Sequence, residues 1–231
     1  MISVALKNLM AEKVRFGVSV LGVAFSVFLI GLFLSLFRGF DSHVVDYVES
    51  VPADLWIVQE GTRDFLGVSI LPGDAEERLE AAAHLGEEEV GSFVARPMDI
   101  VIDGEPTKVH VIGYDTVSGI GGPPEVTAGE QVPGPGEIIV DGTLAGIAGI
   151  DLGDTVGLAG REFRVVGKSG GGSNLVFTQL VFVEIGQLRA ATGAEDITSF
   201  VTVDVDTPAQ AELLKERIEA QAPGVTVYHA E

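Results

Sequence analysis

The 231-residue sequence contains no cysteine. This absence excludes a disulfide framework, a thiolate nucleophile and a metal site built on cysteine. Basic residues are also scarce, because 14 lysines and arginines stand against 34 aspartates and glutamates, for a formal net charge of −20. Such an acidic chain repels phosphate backbones, so we expect no nucleic-acid partner. The excess of acid fits either a high-salt habitat or simple solubility.

Motifs for catalysis or cofactor binding are also missing. The four histidines are scattered without the spacing of metal ligands. Gly167-Lys168-Ser169 resembles the end of a phosphate-binding loop, but Glu162 stands where that motif needs glycine, and three further glycines follow instead of a helical pattern. No serine has the context of a hydrolase nucleophile. We therefore predict no catalytic, metal-binding or cofactor-binding residue and no enzymatic activity.

One long apolar run dominates the N-terminal part. Residues 16–37 carry no charged side chain, and 22 residues of helix at about 1.5 Å each extend roughly 33 Å, enough to cross a hydrocarbon core of about 30 Å. Arg38-Gly39-Phe40-Asp41 follows the run and offers no small-residue cleavage site. We predict a retained transmembrane helix over 16–37, with a cleaved signal peptide and a buried soluble helix as the alternatives.

The charges beside the run predict its orientation. Lys7, Lys13 and Arg15 precede it, whereas only Arg38 follows it before a series of acidic residues. The positive-inside rule then places the N-terminus in the cytoplasm and the main domain outside. Residues 1–15 are predicted to form a cytoplasmic amphipathic elbow, and residues 38–52 a stalk helix that continues the span.

Small residues inside the run lie on two faces of the predicted helix. Ser19, Gly22 and Ser26 share one face, and Gly31 and Ser35 lie about 180° round on the other. Small residues allow helices to approach closely in lipid. We predict that both faces pack against other membrane helices, although chance placement of glycine and serine is an alternative.

The rest of the chain has an α+β pattern. Strand, helix and strand are predicted at 54–59, 74–84 and 90–95, and the same order recurs at the C-terminus as Phe200–Asp206, a helix capped by Thr207, and a returning strand at 225–228. We expect residues 53–97 and 191–231 to form one two-layer α+β subdomain. The alternating strand over Phe200–Asp206 is expected to expose its polar face.

Residues 98–190 are rich in valine, isoleucine and glycine and read as short strands separated by turns. They are predicted to form a β-rich inserted subdomain. Mobile loops on such a subdomain often carry binding residues, so substrate or partner contacts are predicted at Gly121, Gly122, Gly171 and Asn174. Trp56, the single tryptophan, is either a core residue or an exposed contact residue.

Five stretches in this order carry a resemblance to a known family. They are ADLWIVQ at 53–59, VIGYD at 111–115, GEIIVD at 136–141, LGDTV at 152–156 and FRVVG at 163–167. Together with the elbow, span and stalk before them, they resemble permeases of MacB/FtsX/LolC–LolE-type ABC transporters. The resemblance covers nearly the whole chain.

The resemblance implies a permease subunit in the cell (inner) membrane that pairs with a second permease, as a homodimer or otherwise, above a cytoplasmic ABC ATPase. A periplasmic adaptor is a further possible partner, and the substrate would be a lipid, lipoprotein, drug or peptide. Such permeases have four spans, three of them after the outer domain, so we expect this chain to be a fragment or a natural truncation. The alternative is a single-span protein whose outer domain recruits or regulates an envelope partner.

Overall fold

The computed structural model describes residues 13–62, 69–83, 90–170, 179–205 and 207–230. The helices in these residues are α1 (Lys13–Ser50), α2 (Ala75–Ala83), α3 (Gly142–Ala148), α4 (Ile185–Thr192) and α5 (Pro208–Gln221). The strands are β1 (Leu55–Gln59), β2 (Leu71–Pro72), β3 (Val90–Ile102), β4 (Glu105–Tyr114), β5 (Glu125–Gly129), β6 (Glu137–Asp141), β7 (Thr155–Leu158), β8 (Arg161–Gly170), β9 (Gln179–Glu184), β10 (Ile197–Thr198), β11 (Phe200–Val203) and β12 (Val225–His229).

The chain divides into two compact units, Met1–Ser42 and His43–Glu231. The first unit contains the apolar part of α1, and the second contains the last residues of that helix and all the strands. This is the predicted α+β class, with an N-terminal apolar helix followed by a β-rich domain. The finer boundaries at 53–97, 98–190 and 191–231 stay a prediction.

Six strands of the second unit close into a barrel. The pairs run β3–β4, β4–β9, β9–β6, β6–β8, β8–β7 and β7–β3, so the last strand returns to the first. Two of these pairs, β4–β9 and β6–β8, are parallel. A closed ring leaves no free strand edge within it and encloses an interior that side chains must fill.

Three other strands extend the sheet from β3 in the order β11, β1, β12. Helices α2 and α5 lie against this extension, with Leu79 and Leu214 among the residues they bury. Thr207 caps the start of α5 by accepting a hydrogen bond from the Gln210 N–H, and Pro208 occupies the first turn, as the sequence predicts. The strands predicted at both ends of the chain thus lie side by side.

Each face of the sheet packs into its own core. The barrel interior is filled by branched and aromatic side chains such as Val111, Val140 and Phe163, and we call this the barrel core. The outer faces of β4, β6 and β9 pack against the end of α1, and we call this second cluster the helix-end core. Alternation of side chains along each strand explains why Val111 faces one core and Ile112 the other.

The edge strand β12 is partly blocked. Its outward-facing Val227 N–H donates a hydrogen bond to a carboxylate oxygen of Glu219 on α5, at 3.3 Å. At the opposite edge of the sheet, the register of β5 against β8 shifts between Val126 and Ala128. The Glu219 contact and the register shift each interrupt the regular row of unpaired backbone groups at a sheet edge.

The strand predicted over Phe200–Asp206 is shorter than expected. It ends at Val203, and all four residues of β11 are buried, whereas Asp204 just beyond it is exposed. The reason is that β11 lies between β1 and β3 and has a core on both faces. Thr202 is accommodated because its hydroxyl donates to the Gly91 carbonyl at 3.2 Å. Strand β5 and helix α4 were not anticipated from the sequence pattern.

Candidate functional site

The apolar part of α1 is long enough to span a membrane. The stretch Val14–Ser35 has 22 residues with a mean hydropathy of 2.4, and its side chains are exposed in the described structure. This stretch agrees closely with the predicted span at 16–37. Among the described residues it is the single candidate span.

The small residues of α1 leave its surface open. Ser19 Oγ donates to the Arg15 carbonyl at 3.1 Å, and Ser26 Oγ donates to the Gly22 carbonyl at 2.9 Å. Because these hydroxyls are satisfied within their own helix, they need no water in an apolar medium. A methyl group added at Gly22 or at Gly31 would contact nothing within 4 Å. The packing of these small residues and of Ser35 against other membrane helices stays a prediction.

The C-terminal end of α1 contributes a buried tyrosine to the second unit. The Tyr47 side chain is 0 % exposed, and its hydroxyl donates to the Gly121 carbonyl at 2.7 Å. Its ring centroid lies 6.2 Å from that of Phe182 on β9. Val51, just after the helix, is also buried in the helix-end core. The end of the helix is therefore held by both apolar packing and a hydrogen bond.

The Tyr47 acceptor lies in a turn-rich segment, residues 115–124, which we call the glycine loop. Asp115 organises its start, because its carboxylate accepts from the N–H groups of Val117 and Ser118 at 2.9 and 3.2 Å. The Gly119 N–H donates to the Asp115 carbonyl, and the Gly122 N–H donates to the Gly119 carbonyl. The loop is thus internally hydrogen-bonded, and Val117 at its surface is 94 % exposed.

The glycine loop approaches the sheet too closely for side chains at its second half. A Cβ added at Gly121 would lie 2.7 Å from the Phe93 ring, and one at Gly122 would lie 2.8 Å from Cε2 of Tyr114. Gly121 also has a φ of +80°, a conformation that favours glycine. The side chain of Ile120 in turn occupies the space beside Gly91 on β3. These glycines let the loop backbone pack directly on β3 and β4.

Aromatic rings surround this contact. Trp56 packs edge-on against Phe93 and Phe200, with centroids 5.6 and 5.8 Å apart, and Tyr114 packs edge-on against Phe182 at 6.5 Å. Trp56 is only 5 % exposed, which settles its two alternatives in favour of the core. The helix-end core therefore links α1, the glycine loop and the sheet through rigid rings.

Burial keeps both tyrosines of the site neutral. It raises the pKa of Tyr114 to about 12 and raises the pKa of Tyr47 well above its usual value, with a smaller contribution from the nearby Tyr114. On the outer face of β4, burial lowers the pKa of His110 to about 4, so this histidine is also neutral at pH 7. A neutral hydroxyl can donate a hydrogen bond to a backbone carbonyl, as that of Tyr47 does to Gly121.

The predicted contact residues fall into two groups. Gly121 and Gly122 lie in the glycine loop against the helix-end core, whereas Gly171 and Asn174 fall outside the described residues. Sequence reasoning missed Tyr47 and Tyr114, which the fold brings to the same loop. The signal was the Gly121-Gly122 pair close after a strand, since adjacent glycines often mark a close backbone approach. Among the described residues, no group of acidic or histidine side chains could hold a metal ion.

The Gly167-Lys168-Ser169 stretch lies within strand β8 and does not form a turn that ends the strand. Lys168 Nζ contacts Asp151 at 3.2 Å, and Ser169 is buried.

Comparisons with known proteins agree with this architecture. The sequence model of the MacB-like periplasmic core domain matches residues 16–221. No curated protein matches the sequence. The periplasmic region of MacB from Actinobacillus actinomycetemcomitans is a similar solved structure, with a TM-score of 0.57 and 13% identity over 81% of this chain and 94% of that one.

A second similar structure is the extracellular domain of the noncanonic ABC-type transporter YknZ from Gram-positive bacteria. It has a TM-score of 0.55 and 14% identity over 77% of this chain and 99% of that one. At these identities the structural likeness shows a shared fold, while the family match extends over most of the sequence. The chain belongs to the MacB-like periplasmic core domain family of ABC transporter permeases.

Proposed function

We propose that this chain is the permease subunit of an ABC-type exporter or mechanotransmission complex. ATP hydrolysis by a separate cytoplasmic ATPase moves the extracytoplasmic domain, which handles a lipid, lipoprotein, drug or peptide. Membership of the family, whose members work with a cytoplasmic ATPase, supports the kind of partner. The chain itself supplies a membrane helix and an outer domain rather than a reaction centre.

We propose that the protein lies in the cell (inner) membrane with its N-terminus in the cytoplasm. Lys7, Lys13 and Arg15 precede the uncharged run at residues 16–37, and Arg38 alone follows it before the acidic residues. The acidic second unit is then outside, as the name of the family's core domain implies. The ATPase would contact the cytoplasmic side.

The observation that carries the proposal is the burial of Tyr47 in the second unit. Helix α1 includes both the apolar stretch and this residue. Burying an aromatic ring contributes about 1.5–3 kcal/mol, and a hydrogen bond such as that to Gly121 contributes about 0.5–1.5 kcal/mol. A displacement of the helix end would therefore act on the glycine loop and the sheet before it broke this attachment.

Pairing with a second permease is part of the proposal. The open faces at Ser19, Gly22 and Ser26 and at Gly31 and Ser35 suit close contact with neighbouring membrane helices. A periplasmic adaptor is a further partner of the proposed complex. Contact of Gly121, Gly122, Gly171 and Asn174 with substrate or partner stays a prediction.

The first test is recovery of the complex. The affinity-tagged chain is purified from membranes of its own host in mild detergent, and the proteins that accompany it are identified by mass spectrometry. We expect an ATP-binding subunit whose hydrolysis is detectable in the purified sample. A membrane-anchored enzyme recovered without any ATPase would overturn the proposal and favour a single-span protein that recruits an envelope partner.

The second test uses the absence of cysteine, which gives single-cysteine variants no background labelling. Val117→Cys places a thiol at a position that is 94 % exposed in the glycine loop. We expect it to react with a membrane-impermeant maleimide in intact cells, after the outer membrane is permeabilised where the host has one. Ser3→Cys should react only after lysis of the cytoplasmic membrane, and the reverse pattern would refute the orientation.

The third test measures coupling in the purified complex. Val51→Cys reports on the end of α1, because Val51 is 4 % exposed, and Ile100→Cys is its control in the barrel core at 0 % exposure. We expect trapping with ATP and vanadate to change the maleimide reaction rate of Val51→Cys severalfold and to leave that of Ile100→Cys unchanged. Equal rates with and without trapping at Val51→Cys would refute coupling through the helix end.

A further inference from the structure

Asp54 joins parts of the second unit that are far apart in sequence. It is the last residue of the linker 51–54 between α1 and β1. Its N–H donates to the Val203 carbonyl and its carbonyl accepts from the Ala230 N–H, both at 2.9 Å. Its carboxylate accepts from the Val205 N–H, also at 2.9 Å. The end of this linker is therefore held to the C-terminal ends of both strands that flank β1.

Of these bonds, the one made by the carboxylate depends on the side chain. The two backbone bonds extend the pairing of β1 with β11 and β12, and any residue with an N–H could make them. Val205 lies two residues beyond Val203, the last residue of β11 in that pairing, and takes its acceptor from the Asp54 side chain instead. A short side chain with an oxygen can reach a backbone N–H in this way, whereas alanine offers no acceptor.

The carboxylate bond connects the two faces of the sheet. Ala53 packs against the helix-end core, on the face that receives the end of α1. Val205 packs against the cluster on the opposite face, which includes Leu214 of α5. Val205 also leads into α5, which Thr207 caps two residues later. Because the sheet separates the two clusters, the bond between Asp54 and Val205 links the end of α1 to the start of α5 without passing through the sheet.

We propose that the Asp54 carboxylate is a coupling contact, through which displacement of the end of α1 is transmitted to the start of α5. Without the carboxylate, the same displacement would still act on the helix-end core through Tyr47 and Val51, but it would reach α5 only through the sheet. Asp54 is thus a positioning residue for α5. The contact follows from the geometry of this domain, and its use in transport rests on the function proposed above.

The contact is tested by hydrogen–deuterium exchange of the Val205 amide in the full chain, purified in detergent and analysed by mass spectrometry with residue-level fragmentation. Asp54→Ala removes the acceptor, and loss of this hydrogen bond should speed the exchange of the Val205 amide about fivefold. Asp54→Asn keeps an acceptor oxygen on a side chain of the same length and should retain most of the protection.

The chain supplies a matched control at the other end of β1. Glu60, directly after that strand, is an exposed acidic residue like Asp54. Glu60→Ala removes the same charge and should leave the exchange of Val205 unchanged. The amide of Val111, in the barrel core, distinguishes a general loss of stability, which speeds both amides, from loss of the contact, which speeds Val205 alone. If Asp54→Ala speeds both amides equally, or neither, the proposal is overturned.

The coupling is tested in the purified complex with Ala211→Cys, which places a thiol in α5 at a position that is 3 % exposed. Trapping with ATP and vanadate should change its maleimide reaction rate severalfold. That change should fall about twofold or more in the Asp54→Ala background and persist in the Asp54→Asn background. The response of Val51→Cys should persist with Asp54→Ala, because the end of α1 keeps its own packing.

The coupling role and the proposed function fail in different ways. A response of Ala211→Cys that is unchanged by Asp54→Ala, or absent while Val51→Cys responds, would overturn the coupling role of Asp54. If Val51→Cys does not respond in the parent chain, the proposed function fails. The exchange of the Val205 amide then still decides whether the Asp54 carboxylate holds the start of α5.

Discussion

Substituting Gly121 by alanine should destabilise the second unit more than the same change at Gly119. Both glycines have a positive φ, of +80° and +75°. A Cβ at Gly121 would meet the Phe93 side chain at 2.7–2.9 Å, whereas one at Gly119 would contact nothing within 4 Å. The two variants therefore share the backbone penalty and differ in the steric one.

The magnitudes follow from these two contributions. A left-handed backbone costs a non-glycine residue about 1–2 kcal/mol, and forcing a methyl group into a packed core costs about 1–3 kcal/mol. Gly121→Ala should then lose about 2–5 kcal/mol and Gly119→Ala about 1–2 kcal/mol of unfolding free energy. The smaller conformational entropy of the unfolded alanine variants affects both equally. For a unit of this size, the difference is about 2–12 °C in the midpoint of thermal unfolding.

The assay is thermal unfolding of the full chain in detergent, followed by Trp56 fluorescence. Trp56 is the single tryptophan, and its ring lies 5.6 Å from the Phe93 ring that the new methyl group would displace. We therefore expect Gly121→Ala to shift the emission of the folded state as well. Equal midpoints and equal emission for the two variants would refute the close packing of the glycine loop on β3.

Three further predictions concern the pH dependence of stability. Burial lowers the pKa of His110 to about 4, so between pH 7.5 and pH 5 the unfolded chain binds a proton at this residue that the folded chain does not bind. The free energy of unfolding should therefore fall by about 2 kcal/mol over this range. In urea titrations, His110→Gln should lose this part of the dependence of stability on pH. Burial raises the pKa of Asp141, whose carboxylate caps α3, so the stability that this group contributes is lost as pH rises through that pKa. Asp141→Asn should therefore gain stability relative to the parent chain between pH 3 and pH 7. A difference in unfolding free energy that stays constant over this range would contradict this. Hydrogen bonds from the Gly134 N–H and the Arg164 guanidinium lower the pKa of Glu137, so the stability that this carboxylate contributes is lost as pH falls through that pKa. Glu137→Gln should therefore weaken the dependence of the unfolding free energy on pH at acidic pH.

Local pattern was enough to predict much of this fold. The helix predicted at 74–84 is present as Ala75–Ala83, and the strand predicted at 54–59 is present as Leu55–Gln59. Thr207 and Pro208 marked the start of α5 correctly, because capping is decided by neighbouring residues. The apolar run was recognisable for the same reason, since its length and lack of charge are properties of one continuous segment.

Contacts between distant residues could not be predicted in the same way. Tyr47 and Gly121 are 74 positions apart, and their contact depends on the parallel pairing of β4 with β9, which no local pattern encodes. The alternation over Phe200–Asp206 predicted one exposed polar face, but the part that forms β11 lies inside an extended sheet with cores on both sides and is buried throughout. Burial of the loop glycines likewise depends on which surface the loop meets.

The contact between Glu219 and β12 bears on how two copies of this domain could associate. A second copy could extend the sheet at β12 only by displacing the carboxylate that accepts the Val227 N–H. Such a displacement would bring a negative charge of each copy toward an acidic neighbour, at a cost that rises as salt is removed. A continuous sheet across two copies is therefore disfavoured at this edge. If two copies associate as proposed, their domains could separate and approach without first breaking a shared ladder of backbone hydrogen bonds.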